Sequence, residues 1–271
     1  MSYRIAIPVF NQLQYTAGCL DSLRDSGVPD DAIVVVNNGS ADGTREFLGR
    51  RSGIKVIHNS ENRGCGFAWN QGVKAAGAVW TVLLNNDVLV PRGFMDGLVG
   101  FAEAADIDIA SPAMCEGELD YDFHAYAQIF TRRMAAACRR GAANGVCFMV
   151  HRRVFDSIGA FDEDSKLGGY EDDEFFRRAR NARRRLVISG RAFLHHYGSI
   201  TQKSMKACLK EPPISLGDRD YYRRKYQLTW LKRRRMQIRE RILTAFWRQK
   251  ELWRYGLTLR EKRIGGGWVF L

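Results

Sequence analysis

A chain of 271 residues with 45% hydrophobic and 11% aromatic content can bury one large α/β core, which excludes a disordered or low-complexity protein. No apolar run approaches the roughly 20 residues that span a bilayer, so a transmembrane helix is not expected. The net charge of +12 is uneven: residues 218–271 hold 16 Lys+Arg against 5 Asp+Glu, and the first 217 residues are nearly neutral.

The N-terminal MSYRIAIPVFNQ has a short apolar run with no small-residue cleavage site behind it, and reads as a first strand. Six scattered cysteines (Cys19, Cys65, Cys115, Cys138, Cys147, Cys208), with no CxxC pair and no zinc spacing, predict a reduced cytoplasmic chain. Further strands are predicted at 32–36, 54–57 and 80–84, separated by helical patterns over 13–24, 44–51, 67–76 and 93–105. Continuous apolar strands alternating with helices indicate a parallel sheet covered on both faces, a Rossmann-like half-domain. A second region, about 107–200, has a strand candidate at 146–150, a helix over 171–184 and strands near 186–189 and 193–195. From about 218 the chain reads as helical, basic and aromatic.

In open α/β sheets ligands bind beyond the carboxyl ends of the strands. The first strand ends at Pro8 and Asn11. The second runs into Asn37-Asn38-Gly39-Ser40-Ala41-Asp42-Gly43-Thr44, which is either a ligand-approaching turn or an ordinary capped loop. Arg63-Gly64-Cys65-Gly66 opens a helix after the third strand. Trp69 breaks the GxGxxG pattern, which argues against a dinucleotide dehydrogenase and leaves a phosphate contact or close helix packing. Asn85-Asn86-Asp87 sets one carboxylate after a buried strand, where a hard cation could bridge it to substrate phosphates. Glu171-Asp172-Asp173-Glu174 begins a helix that ends in arginines; this suits the helix dipole, and mutual repulsion can also poise one carboxylate as a general base. His195-His196 ends a strand, and either imidazole could be a metal ligand or a structural group.

In chain order, the segments IAIPVFN, VVVNNGSADGT, N-R-G with AWNQG, LLNNDV, NGVCFMVHRRVFDSIGAFDE, GGYEDDEF and HHYGS resemble the motifs of family 2 inverting glycosyltransferases. The likeness covers about residues 3–201 and is nearest to bacterial rhamnosyltransferase-like members that build cell-surface polysaccharides. It implies a GT-A fold over 1–217, with a nucleotide-sugar half (1–106) and an acceptor half (107–217), and a basic helical extension over 218–271. It implies an enzyme using Mn2+ or Mg2+, a UDP-, dTDP- or GDP-linked donor, and a carbohydrate or lipid-linked acceptor. Pro8, Asn11, Asn37 and Arg63 would then hold the nucleoside, and Asn85, Asn86 and Asp87 would take the place of the DxD motif that binds metal and diphosphate. His195 or His196 would complete the metal site, and Asp172, with Glu171 beside it, would be the base. Asn85 and Asn37 stand where Asp is common in the family. The alternative is therefore a degenerate nucleotide-sugar-binding or scaffold protein. Interleaved Tyr, Trp and Arg in the extension suit an anionic membrane surface, hence a peripheral place on the inner face of the membrane, or else packing on protein; nucleic acid is not expected.

Overall fold

The computed structural model describes residues 2–164, 170–198, 200 and 215–271. Gly168, Gly169, Ser199 and Cys208, which belong to the motifs and cysteines above, lie outside them.

Four strands, β1 (Tyr3–Val9), β2 (Ile33–Asn38), β3 (Lys55–Asn59) and β4 (Trp80–Leu84), run parallel in the order β3-β2-β1-β4. They alternate with α1 (Leu13–Asp25), α2 (Thr44–Gly49) and α3 (Cys65–Ala76), close to the predicted bounds. Successive side chains on a strand point to opposite faces. Ile5, Ile7 and Val9 of β1 accordingly join one core cluster with Leu20, Val35 and Leu84, while Ala6 joins another with Trp69, Phe148 and Phe176. With both faces covered, every residue of β2 and β4 is buried, as a continuous apolar run requires. Gly72 lets α3 lie against β1, because a Cβ there would sit 2.7 Å from the Ala6 Cβ.

After a short β5 (Val88–Leu89) and α4 (Phe94–Ala104), the chain forms β6 (Ile109–Gly117), α5 (Phe123–Met134), β7 (Cys138–Arg140), β8 (Cys147–His151) and α6 (Arg152–Ile158). Strand β8 runs antiparallel between β4 and β6, which makes the sheet mixed. Helix α7 (Glu171–Asn181) ends three residues before its predicted limit. The chain then turns through Arg183, with φ 56, so that the Arg185 N–H reaches Asp108 Oδ2 at 2.7 Å. The two strands predicted at 186–189 and 193–195 are one, β9 (Leu186–His196). Residues 190–192 bulge out, as the register with β6 jumps from Pro112↔Ser189 to Ala113↔Phe193.

The basic extension is helical in α8 (Ser215–Lys225) and α9 (Trp230–Tyr255). The expectation of helix through residue 271 is corrected beyond that point. Gly256 terminates α9 in a left-handed conformation, and β10 (Arg260–Ile264) then adds to β6 in parallel, with β11 (Gly267–Phe270) antiparallel outside it. Burial of Leu257 and Leu259 with Phe123, Phe130 and Phe193 in a third core cluster ties these strands down. The path across the sheet is β11-β10-β6-β8-β4-β1-β2-β3.

Candidate active site

A cavity of about 400 Å³ opens where the carboxyl ends of β1, β2 and β4 meet β6, β9 and the start of α7. Pro8, Asn85, Asn86, Asp87, Glu171, Asp172 and His196, all singled out in the sequence, line it.

The loop residues divide by what their side chains already hold. Asn11, at φ 55, accepts from Ala41 N at 2.8 Å and gives its own N–H to Ser40 Oγ, fastening the end of β1 to the loop after β2. Asn37 is buried, accepts from Ser40 N at 3.0 Å and pairs with His58 Nδ1 at 3.2 Å, so it shapes that loop from beneath. Its neighbour Asn38 lines the cavity instead and donates to Asn62 Oδ1 and the Gly64 carbonyl. The Arg63 guanidinium stacks 3.6 Å from the Phe67 ring centroid, beside the cavity-lining Asn62 and Cys65. Asn86 donates to Thr16 Oγ1 at 2.9 Å, anchoring the β4 loop on α1.

Asp87 and His196 meet at the cavity wall, Oδ2 to Nε2 3.4 Å, and the Ile200 N–H also reaches Oδ2 at 3.1 Å. Burial works to raise the Asp87 pKa, but the His196 hydrogen bond and charge and the Ile200 N–H outweigh it and hold the carboxyl below its ordinary value. Burial likewise opposes charge on His196; hydrogen bonds to Asp87 and Glu116 prevail and raise its pKa to about 9. Glu116, from β6, lies 3.8 Å from His196 Nδ1 and accepts from Lys262 Nζ, and these partners lower it to about 2. Adjacent strand residues face opposite ways, so His195 turns out of this group. It is fully buried against Tyr121, whose hydroxyl is 3.0 Å from Nδ1, and burial followed by the His196 charge pushes it down to about 4. Among the described residues no group of three or more His, Cys, Asp or Glu side chains is gathered for a metal ion.

The acidic start of α7 supplies the facing wall. Burial, then the charges of Asp173 and Glu171, raise Asp172 well above the usual carboxylate range. Gly145 faces it so closely that a Cβ there would lie 1.7 Å from Asp172 Oδ2. Glu174 instead braces the helix against its neighbours. It is buried, chelates Arg178 at 2.8 Å, and takes the Tyr226 hydroxyl and Lys225 from α8. The buried Trp69 also lines the cavity, and its Nε1 has no acceptor among the described residues.

Sequence reasoning misses Asn38, Gly145, Glu116 and Arg260, the last two on strands it does not predict. Glu116 ends β6, and Arg260 arrives from β10, which pairs Arg260 with Met114 of β6 and brings it to the cavity. The local signal for β10 is the buried Leu257-Thr258-Leu259 that precedes it.

The Glycosyl transferase family 2 profile matches residues 4–159, from β1 through α6. Over 87 residues the chain is 33% identical to EpsH of Bacillus subtilis, named as a glycosyltransferase, covering 31% of this chain and 25% of that one. It is 21% identical to the glycosyltransferase AglE of Haloferax volcanii over 84% of this chain and 79% of the relative. The chain thus matches about a quarter of the length of EpsH and most of AglE. The crystal structure of GalNAc-T7 with UDP, GalNAc and Mn2+ superposes with a TM-score of 0.58 at 15% identity, over 72% of this chain and 44% of that one. The mixed sheet with its cavity at the strand ends is the GT-A fold. More than half of the sequence lies within the matching profile, and the chain belongs to glycosyl transferase family 2.

Proposed function

We propose that this chain is a divalent-cation-dependent, inverting glycosyltransferase that moves a sugar from a nucleotide-diphosphate donor to an acceptor hydroxyl. One observation carries the reading: a carboxyl group poised to take up a proton, Asp172, shares one cavity with the Asp87–His196 pair at the strand ends.

The donor set fits a hard cation. Asp87, Glu116, Glu171, Asp172 and Asp173 line the cavity against Arg260 and His196, so an anionic diphosphate needs further positive charge to enter. Asp87 and His196 would hold Mn2+ or Mg2+, His196 as the neutral imidazole after releasing the proton that Asp87 and Glu116 favour in the metal-free site, since such ions take few protein ligands and complete their shells with phosphate and water. When bound, the ion would supply charge stabilisation to the leaving diphosphate. The nucleoside lies on the β1–β4 side, with Pro8 and Asn38 as contacts, while Asn11, Asn37 and Arg63 support the loops that form its floor. Asn85 and Asn86 face the diphosphate from the β4 end.

On the other side Asp172 accepts the proton of the acceptor hydroxyl. That oxygen bonds to the anomeric carbon as the carbon–oxygen bond to the diphosphate breaks, and the configuration inverts. A raised pKa makes Asp172 a stronger base than an ordinary carboxylate, and Glu171 contributes to that rise through its charge. The donor base is uracil, thymine or guanine, and the acceptor is a carbohydrate or lipid-linked sugar. The order of motifs that resembles rhamnosyltransferase-like proteins supports a role in surface polysaccharide or glycoconjugate synthesis.

Thermal unfolding against UDP-, dTDP- and GDP-sugars with Mn2+, paired with turnover assays, tests this. Ligand at about 100 times its Kd stabilises by roughly 2.7 kcal/mol, which is several degrees. One nucleotide class should raise the wild-type Tm, Asp87→Ala should abolish that rise, and Asp172→Asn should keep it while losing most turnover. Turnover near wild type in Asp172→Asn sinks the base assignment. A Tm unmoved by every nucleotide favours the scaffold reading, for which Asn85 in place of an acid is the motivation.

A further inference from the structure

Helix α9 is 26 residues long, about 39 Å, and from Trp230 to Lys250 every residue is exposed except the half-buried Arg233 and Trp247. Helices in water draw most of their stability from packing an apolar face. This one has such a face without a cover among the described residues. Leu231, Ile242 and Trp253 are spaced 11 residues apart, which advances about 20° per step on a helix, and they are 61%, 63% and 84% exposed. Ile238 and Phe246 fall beside them, 46% and 57% exposed, and the five span an arc of about 80°.

Charge decides what covers that face. Trp230–Tyr255 holds nine Lys and Arg against Glu240 and Glu251. Glu251 is engaged within the protein itself: it chelates Arg139 at 2.7 and 2.8 Å and accepts the Leu259 N–H. Arg234 and Arg241 flank one edge of the stripe and Lys232, Arg239 and Lys250 the other, while Arg235 within it has a stem long enough to carry its head aside. Two copies of so cationic a helix repel at close range. A nucleic acid would answer the charge but would leave the apolar side chains in water.

We propose that α9 is a surface-docking helix that lays Leu231, Ile238, Ile242, Phe246 and Trp253 into the headgroup region of an anionic lipid bilayer. The flanking cations lie over the lipid phosphates. The Arg139–Glu251 pair fixes the end of the helix to the catalytic sheet, so docking also fixes the orientation of the sheet above the membrane. This inference stands apart from the reaction assigned to the cavity. No described helix is long and apolar enough to cross a membrane, in keeping with a helix that lies flat.

The test uses the full chain, because β10 and β11 follow α9 and belong to the sheet. Co-sedimentation is measured with phosphatidylcholine vesicles and with phosphatidylcholine vesicles containing phosphatidylglycerol. Binding should be at least about tenfold stronger to the anionic vesicles and should weaken as salt is added. The exposed triple variant Leu231→Ser, Ile242→Ser, Trp253→Ser should keep the wild-type Tm and lose about tenfold or more in binding. Arg234→Glu with Arg241→Glu should do the same with the apolar stripe intact. Equal binding to both vesicles overturns the proposal, as does wild-type binding by either variant. A lipid-free dimer dissolved by the triple variant would assign the face to a second copy. Duplex DNA bound as tightly as the anionic vesicles, and unaffected by the triple variant, would assign the charge to nucleic acid.

Discussion

Asp172 depends on a neighbour that has no side chain. Gly145 is not at a positive φ, so alanine there meets no backbone strain, and its conflict is with the carboxylate, the Cβ falling 1.7 Å from Asp172 Oδ2. The carboxylate must move to make room, and a displacement of about 1 Å in a reacting group can cost about 100-fold in rate. Gly145→Ala should therefore lower kcat by up to about 100-fold and leave the donor-dependent Tm rise unchanged. In the Asp172→Asn background the same change should cost little more, because both act through one group. Full additivity of the two losses would show that Gly145 acts elsewhere. Asp87, Asp172 and Glu171 are legible in the sequence, since acids after a buried strand or at a helix start are visible in one dimension. His195 is not separable from His196 there, nor Asn37 from Asn38. Strand alternation gives neighbours opposite faces, and only the pairing of β9 with β5 and β6 decides which one meets Asp87.

Among the elements, the parallel strands β1 to β4 and their helices are legible nearly to their ends, because fully buried strands are continuous apolar runs. The late strands are hidden by their composition. Arg260-Glu261-Lys262-Arg263 resembles a solvated helix end, yet β10 lies in the sheet because Leu257 and Leu259 are buried and Arg139 binds Glu251. That ion pair is bidentate, its side chains 6% and 4% exposed, and Arg139 also donates to the Leu271 carbonyl. Removing one partner leaves a buried charge uncompensated, which typically costs about 3–5 kcal/mol. Glu251→Gln should lower the unfolding free energy by that amount in urea titration. A loss under about 1 kcal/mol would mean that water or a rearranged Arg139 already satisfies the site. Arg260 enters the cavity on the strand that this pair secures, so the variant should also weaken turnover more than its Tm alone predicts.

For the whole molecule, a buried acid in this late-added strand ties stability to pH. Glu261 is 1% exposed, with the Tyr126 hydroxyl at 2.5 Å and the Thr258 N–H at 3.1 Å. Burial raises its pKa to about 7; the bonds from Tyr126 and Thr258 oppose the rise without reversing it, and the Glu251 charge adds to it. In the unfolded chain the same carboxyl titrates near 4.5. Between these values the folded protein binds the proton and the unfolded chain does not, so stability falls as pH rises from about 4.5 to 7 and levels off above. The full swing is on the order of 3 kcal/mol, at about 1.4 kcal/mol per pKa unit. Glu261→Gln cannot titrate; its carbonyl oxygen accepts the Thr258 N–H in place of Oε1, and its NH2, in place of Oε2, donates to the Tyr126 hydroxyl oxygen. Its unfolding free energy should therefore fall less steeply than wild type across that window, the difference growing in favour of the variant toward pH 7. Parallel profiles for the two proteins would place the Glu261 proton at its ordinary pKa. The burial of β10 against α5, and with it the closure of the sheet around Arg260, would then carry no electrostatic cost at neutral pH.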